Sequence, residues 1–265
     1  MNILLLGDIM GPSGRKAIIE ELPKIIKKKK IDFTIVNGEN SGDSGVGITK
    51  KIFYDFLNAG ADVVTTGNHV WDEKEAMEFI TKEKRLLRPQ NLIKGSPGNG
   101  YGIFNSKNKK KVAVINLMGN VFMKKSEDVF EEAKKFIQIV QLKKEADFIV
   151  VDMHGEITSE KMAMGYLFDG KATMVVGTHT HVPTSDYVIM EKGTAYQTDV
   201  GMCGDYRSVI GMNRDNSLKR FFKDSSAKKH YPALGEATIS GLMVMADIKT
   251  GLAKKVEPII VGKYL

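Results

Sequence analysis

The stretch "MVVGTHTHVPTSD", Met174 to Asp186, decides how the rest of the chain is read. Its apolar start has the length and composition of a strand buried on both faces. At Gly177 the apolar run stops, and His179 and His181 follow with one residue between them. The chain holds 5 histidines in 265 residues, so two of them just beyond a strand end need a reason. Taken alone, the pair reads equally as a polar turn over the sheet edge or as part of a metal site, because so short a motif has many chance matches.

Similar apolar runs recur along the first two-thirds of the chain: "ILLL", "FTIV", "DVVTT", "VAVINL", "FIVVD" and "TMVV". Most are separated by helix-like stretches at residues 15–28, 50–58, 73–81, 127–143 and 159–167. "GPSG" leads into the first of these, and "TSE" offers the last an N-cap. This βαβ alternation predicts an α/β fold with a largely parallel sheet. The C-terminal third has turn signals between strand-like runs and little helical period, which predicts antiparallel strands, with "IKTGLAKK" as a hairpin and a second sheet packed on the first. No linker, low-complexity segment or 20–50-residue repeat interrupts the chain, so one domain over residues 1–265 is expected.

Composition narrows the function classes. Apolar residues make up 42% and charged residues 27% of the chain, as in an ordinary globular protein with a sizeable core. The single cysteine, Cys203, excludes an internal disulfide and fits a reducing cytoplasm. "MNILLLGDIM" lacks a basic n-region, and its apolar run is too short for a signal or a membrane span. The net charge is +7. Its lysine runs, Lys27–Lys30 and "KNKKK" (Lys107–Lys111), read as a helix C-terminus and a hairpin tip. Neither is interleaved with stacking aromatics, so RNA is only weakly supported as a partner, whereas small anionic substrates would be drawn in.

Each apolar run is followed by residues that carry chemistry. Asp8 follows the first, Glu39 and Asn40 the second, Asn68 and His69 the third. His154 follows "FIVVDM", and His179 and His181 follow "MVVG". Ligands of α/β sheets bind beyond the carboxyl ends of the strands, so these side chains should converge on one rim. His230, in "SAKKHYPALG", is the histidine left outside the set. The donors exceed what one zinc ion takes, and neither a GxSxG elbow nor a cysteine with a neighbouring histidine is present. Two metal ions need about this many donors, and a carboxylate such as Glu39 can bridge them. Mixed nitrogen and oxygen ligands suit Mn, Fe, Zn or Mg better than soft copper.

"GD" (Gly7–Asp8), "NGEN" (Asn37–Asn40), "GNH" (Gly67–His69), "HGE" (His154–Glu156) and "GTHTH" (Gly177–His181) resemble the metallophosphoesterase superfamily, and more closely its YmdB-type branch. Compared with the wider D-x-H, GD-x-x-D, GNH, GH-x-H pattern, Met10 stands where a histidine ligand would, and Glu39 with Asn40 replaces the bridging aspartate motif. "GDIM" and "NGEN" are the forms expected in the YmdB-type branch, and the resemblance, "NHVWD" and "TDVGMCG" included, covers nearly the whole chain. It implies a sandwich of two mixed β-sheets flanked by helices (αββα), and two divalent or trivalent ions of Fe, Mn, Mg or Zn. One ion would be held by Asp8, Glu39, Asn40 and His181, the other by Glu39, Asn68, His154 and His179, with a bridging hydroxide as nucleophile. His69 is left over as the catalytic acid, and Asp72 would orient its ring.

The implied activity is a phosphodiesterase acting on small cyclic nucleotides, 2′,3′-cyclic species in particular. A phosphomonoesterase or nuclease would use the same ions, and a non-catalytic regulatory or RNA-associated protein would keep them only structurally. No membrane partner is expected, and a homo-oligomer, by default a dimer, is compatible with the sequence. Single residues also have plainer readings: Arg15 as a helix start, Asn40 as a turn residue in a Gly-rich loop, and Cys203 as a buried thiol near the site.

Overall fold

In the computed structural model, which describes residues 1–265, every one of those apolar runs is a strand. The chain begins β1 (Asn2–Leu6), β2 (Asp8–Ile9), α1 (Gly11–Lys29), β3 (Phe33–Asn37), α2 (Lys50–Ala59) and β4 (Val63–Thr65). It continues α3 (Ala76–Phe79), β5 (Tyr101–Asn105), β6 (Lys111–Met118), α4 (Val129–Ile139), β7 (Phe148–His154), α5 (Thr158–Phe168) and β8 (Met174–Thr178). The remainder is β9 (Val188–Ile189), β10 (Ala195–Gln197), β11 (Met202–Cys203), α6 (Arg214–Phe221), β12 (Ile239–Ala246) and β13 (Ala253–Val261). No helix is long and apolar enough to cross a membrane.

Two mixed sheets result, ordered β13-β12-β1-β3-β4 and β5-β6-β7-β8-β10-β9. The parallel strands β1, β3 and β4 form the heart of the first, and the parallel β6, β7, β8 and β10 that of the second. Alternation along each strand sends its side chains to two different cores. Ile3, Leu5, Phe33 and Ile35 of the first sheet meet Val112, Val114, Phe148 and Val150 of the second in a layer between the sheets. Leu4, Leu6 and Val36 face outward to Ile18 and Leu22 of α1 and to Phe53 and Phe56 of α2. Ile115, Ile149 and Val151 face Phe136 of α4 and Met164 and Phe168 of α5. Burial on both faces explains why the strands read as continuous apolar runs, and the helix–sheet–sheet–helix layering is the αββα sandwich expected from the sequence.

The structure corrects some expectations. The C-terminal third is antiparallel only in part, since β10 runs parallel to β8 and β11 to β2, and it is not a sheet of its own. The hairpin β12–β13 completes the first sheet beside β1, while β9 and β10 extend the second. The helix expected at 73–81 shrinks to α3, because the preceding turn is held by the Asp72–His69 pair and Glu75 accepts the Lys50 amide. The 127–143 helix is trimmed to α4: Asp128 caps its start, and a turn at 140–145 carries Lys143 at φ 68°. Helix α5 begins at Thr158 with no side-chain cap, so "TSE" lies inside the first turn. Helix α6 was not expected; its buried residues include Asn216 and Ser217, so it has no apolar stripe to announce it.

Candidate metal centre

The strand ends of both sheets open onto one rim. The first sheet delivers Asp8, Glu39, Asn40, Asn68 and His69, and the second delivers His154, His179 and His181. Glu39, His154 and His179 place ligand atoms within 4.8 Å of one another. His154 Nε2 lies 2.9 Å from Glu39 Oε1, 3.0 Å from Asn68 Oδ1 and 3.1 Å from His179 Nδ1. His181 Nε2 lies 3.2 Å from Asn40 Oδ1 and 4.0 Å from Asp8 Oδ1. All seven expected ligand residues therefore come together; four of them, Glu39, Asn40, His179 and His181, line a cleft of about 260 Å³ with Val46, His69, Glu156, Thr180, Ile210 and Met212.

The far side of each ring fixes which nitrogen faces the cleft. His154 Nδ1–H donates to Thr178 Oγ1 (2.9 Å), whose own proton goes to the buried Asp152 (2.7 Å). His181 Nδ1–H donates to the Ile210 carbonyl (2.7 Å), and His179 Nε2–H to Glu156 (3.1 Å). Asn40 Nδ2 donates to the Gly45 carbonyl (2.9 Å), which turns its Oδ1 inward. What converges on the cleft is then a set of lone pairs, with the opposite ring nitrogens tied down as in metal-ligating histidines. Asp8 adds to this: Oδ2 accepts the His179 amide at 3.0 Å, while the buried Oδ1 has no hydrogen-bond partner. Acceptors at contact distance with an orphaned carboxylate oxygen among them are stable only around positive charge, so the residues present fit metal ions.

The electrostatics agree. Burial alone would lower the His154 pKa, but the charge and hydrogen bond of Glu39, with Asp8 and Asp152, raise it to about 9. Burial would raise Glu39, yet His154 and His69 hold it at about 2. His179 is pushed down to about 3 by burial and by the His154 charge. Burial raises Asp8, and it raises Asp152 to about 6. The donor set therefore favours positive charge at its centre.

His69 is arranged differently. Its amide donates to Glu39 Oε2 (3.1 Å), and its ring Nδ1 pairs with Asp72 Oδ2 at 2.6 Å. His69 also lines the cleft. Lys124 braces the arrangement, with Nζ 2.5 Å from the Asn68 carbonyl and 3.4 Å from Asp72 Oδ1. Backbone geometry at the rim is unusual: His179 (φ 96°), His181 (φ 66°) and Ile210 (φ 47°) all occupy positive φ. Non-glycine residues there cost on the order of 1–3 kcal/mol each and persist only where their surroundings over-determine them.

The other sequence expectations fall into place around this rim. Arg15 lies within α1 and donates to the Ser41 carbonyl (2.5 Å) and to Asp43. Cys203 is buried against the Ser240 carbonyl, and burial pushes its thiol up to about 12, so it is no nucleophile. His230 is exposed and stands outside the set. Glu156 stood in a quoted motif without a role, and Lys124, Asp152 and the Ile210 carbonyl were missed. Only Asp152 had a visible signal, an acid inside an apolar strand.

A family profile described as "YmdB-like protein" matches residues 4–259. A 2′,3′-cyclic-nucleotide 2′-phosphodiesterase of Bacillus subtilis (strain 168) is 44% identical over 262 residues, covering 99% of this chain and 97% of that one. Among solved structures, a Mycoplasma pneumoniae protein described as a novel phosphatase is 36% identical with a TM-score of 0.90, over 99% of this chain and 93% of its own. A hypothetical protein from Thermus thermophilus superposes with the same TM-score, at 34% identity, over 99% of this chain and 100% of its own.

Proposed function

Because the chain belongs to the YmdB-like family, a branch of the metallophosphoesterases, we propose that it is a metal-dependent phosphodiesterase that opens 2′,3′-cyclic nucleotides. The observation that carries the reading is the convergence of imidazole, carboxylate and amide lone pairs on one cleft, with His69 beside them and outside the donor set. Asp8, Glu39, Asn40 and His181 would hold one ion and Glu39, Asn68, His154 and His179 the other, with Glu39 common to both. Bound there, the ions would acidify the attacking water and neutralise the phosphoryl oxygens.

The chain's own residues do the rest. Glu156, Thr178 and Ile210 hold the ring nitrogens of His179, His154 and His181 in the orientation that presents lone pairs to the cleft. His69 offers Nε2–H to the departing ribose oxygen, while Asp72 on Nδ1 supports the charge of the doubly protonated ring. Water adds to phosphorus, the P–O2′ bond breaks, and the proton from His69 completes the 2′-hydroxyl, leaving a 3′-phosphate. The 2′-specificity in the name of the Bacillus subtilis relative supports this choice of bond.

The test is an assay of Mn²⁺-loaded protein against 2′,3′-cyclic and 3′,5′-cyclic mononucleotides, a nucleoside monophosphate and RNA. Hydrolysis of the 2′,3′-cyclic substrates to 3′-phosphates is expected. Turnover confined to the monophosphate would overturn the reading.

A further inference from the structure

A buried ion pair lies directly under the turn that carries His179 and His181. Lys161 on α5 and Asp199, just past β10, are each about 1% exposed at the side chain, with Nζ 2.7 Å from Oδ2. Neither belongs to the donor set. Asp199 Oδ2 also accepts from the amide (3.2 Å) and the hydroxyl (2.8 Å) of Thr180, the residue between the two histidines. Its Oδ1 accepts the Gly201 amide at 2.8 Å, so the carboxylate is fixed from both sides. Gly177 makes this approach feasible. A Cβ there would fall 1.7 Å from the Thr198 carbonyl and 2.7 Å from Lys161 Cδ.

We propose that the Lys161–Asp199 pair is a positioning device that grips Thr180 and so sets where His179 Nδ1 and His181 Nε2 stand. The inference rests on the two-ion reading above. Both histidines sit at positive φ, and neither relieves its own backbone. Something beneath must over-determine the turn. The His179 amide is held by Asp8 and the His181 ring by Ile210, while the residue joining them is held by Asp199 alone among side chains. Lys161 pairs with that carboxylate in a buried place, where the carboxylate accepts from the turn and from Gly201 at once. Stability is a poor explanation for the pair. Buried ion pairs can often be replaced by apolar residues of similar volume without loss of stability, whereas removing one partner alone leaves a buried charge.

That asymmetry supplies the experiment. The double variant Lys161→Met/Asp199→Leu removes both charges together, and Thr180→Val removes only the hydroxyl contact. Each is compared with wild type by calorimetric titration with Mn²⁺ and by thermal unfolding of the metal-free protein. The double variant should unfold in a single transition, losing only the acceptors of Thr180 and Gly201, while affinity for at least one ion drops about 10–100-fold. Thr180→Val should fold normally and lose affinity in the same direction by a smaller factor, and it decides the matter alone if the double variant does not fold. Two ions per chain at wild-type affinity in the folded variants would overturn the positioning role and leave the two-ion reading standing. A wild type that takes up no Mn²⁺ would overturn both.

Discussion

At the scale of single residues, His69 stands apart from the seven donor residues, its ring paired with Asp72. His69→Ala removes the ring proposed as the acid but leaves the seven donor residues intact. Turnover of a 2′,3′-cyclic nucleotide should fall about 10²–10⁴-fold, with metal content per chain unchanged when both are measured on one preparation. Loss of metal with loss of activity would instead make His69 part of the donor set. Gly67, in "GNH", shows why that motif tolerates no side chain. A Cβ there would stand 2.2 Å from Glu39 Oε2 and 2.3 Å from His154 Nε2, in the middle of the donors. Gly67→Ala should therefore cut Mn²⁺ uptake below two ions per chain, measured by metal analysis after dialysis, more severely than it disturbs the far-ultraviolet circular dichroism.

At the scale of elements, local chemistry fixes where helices begin. Asp128 caps α4 by accepting from the amides of Phe130 and Glu131, both at 2.9 Å. Asp128→Ala should cost about 1 kcal/mol, read from the urea midpoint with an unchanged slope. The sequence was most legible where an element ends in a donor. Asp8, Glu39, Asn68, His154 and His179 each follow or finish an apolar run, and strand-end placement alone groups them. It was least legible where partners come from distant parts of the chain. Lys124 reaches Asn68 and Asp72 across more than fifty positions, and Asp199 meets Lys161 from another element, with no periodicity to mark either. Helix α6 escaped because its buried face is polar, and the assignment of each strand to one sheet or the other escaped because strands buried on both faces look alike in either sheet.

At the scale of the whole molecule, the donors come from both sheets, so ions bound at the rim would tie one sheet to the other. Ligands that bind only the folded state stabilise it by mass action, about 2.7 kcal/mol for one site at a hundred times its Kd. For a chain of this size each kcal/mol moves the thermal midpoint by about 2–4 °C. Mn²⁺ should raise the midpoint by several degrees, and a chelator should reverse it; a midpoint indifferent to both would speak against coordination across the seam. The interior is held in a different way. Phe148 is fully buried between the sheets, and Phe148→Ala should cost about 3–5 kcal/mol in chemical unfolding, with or without metal.

The pairing of β1 has a bearing on the order in which the protein can be assembled. One edge of β1 meets β3, close by in the chain, but the other meets β12, and the amine of Met1 bonds the carbonyl of Ala246, 245 positions away. Contacts so distant in sequence close late and slowly. During synthesis, Asp8, Glu39 and Asn68 leave the ribosome early, on a sheet whose central strand still lacks its second neighbour. His154, His179 and His181 of the second sheet follow later, and a nascent chain would pass most of its translation beside an open edge that only the last hairpin closes.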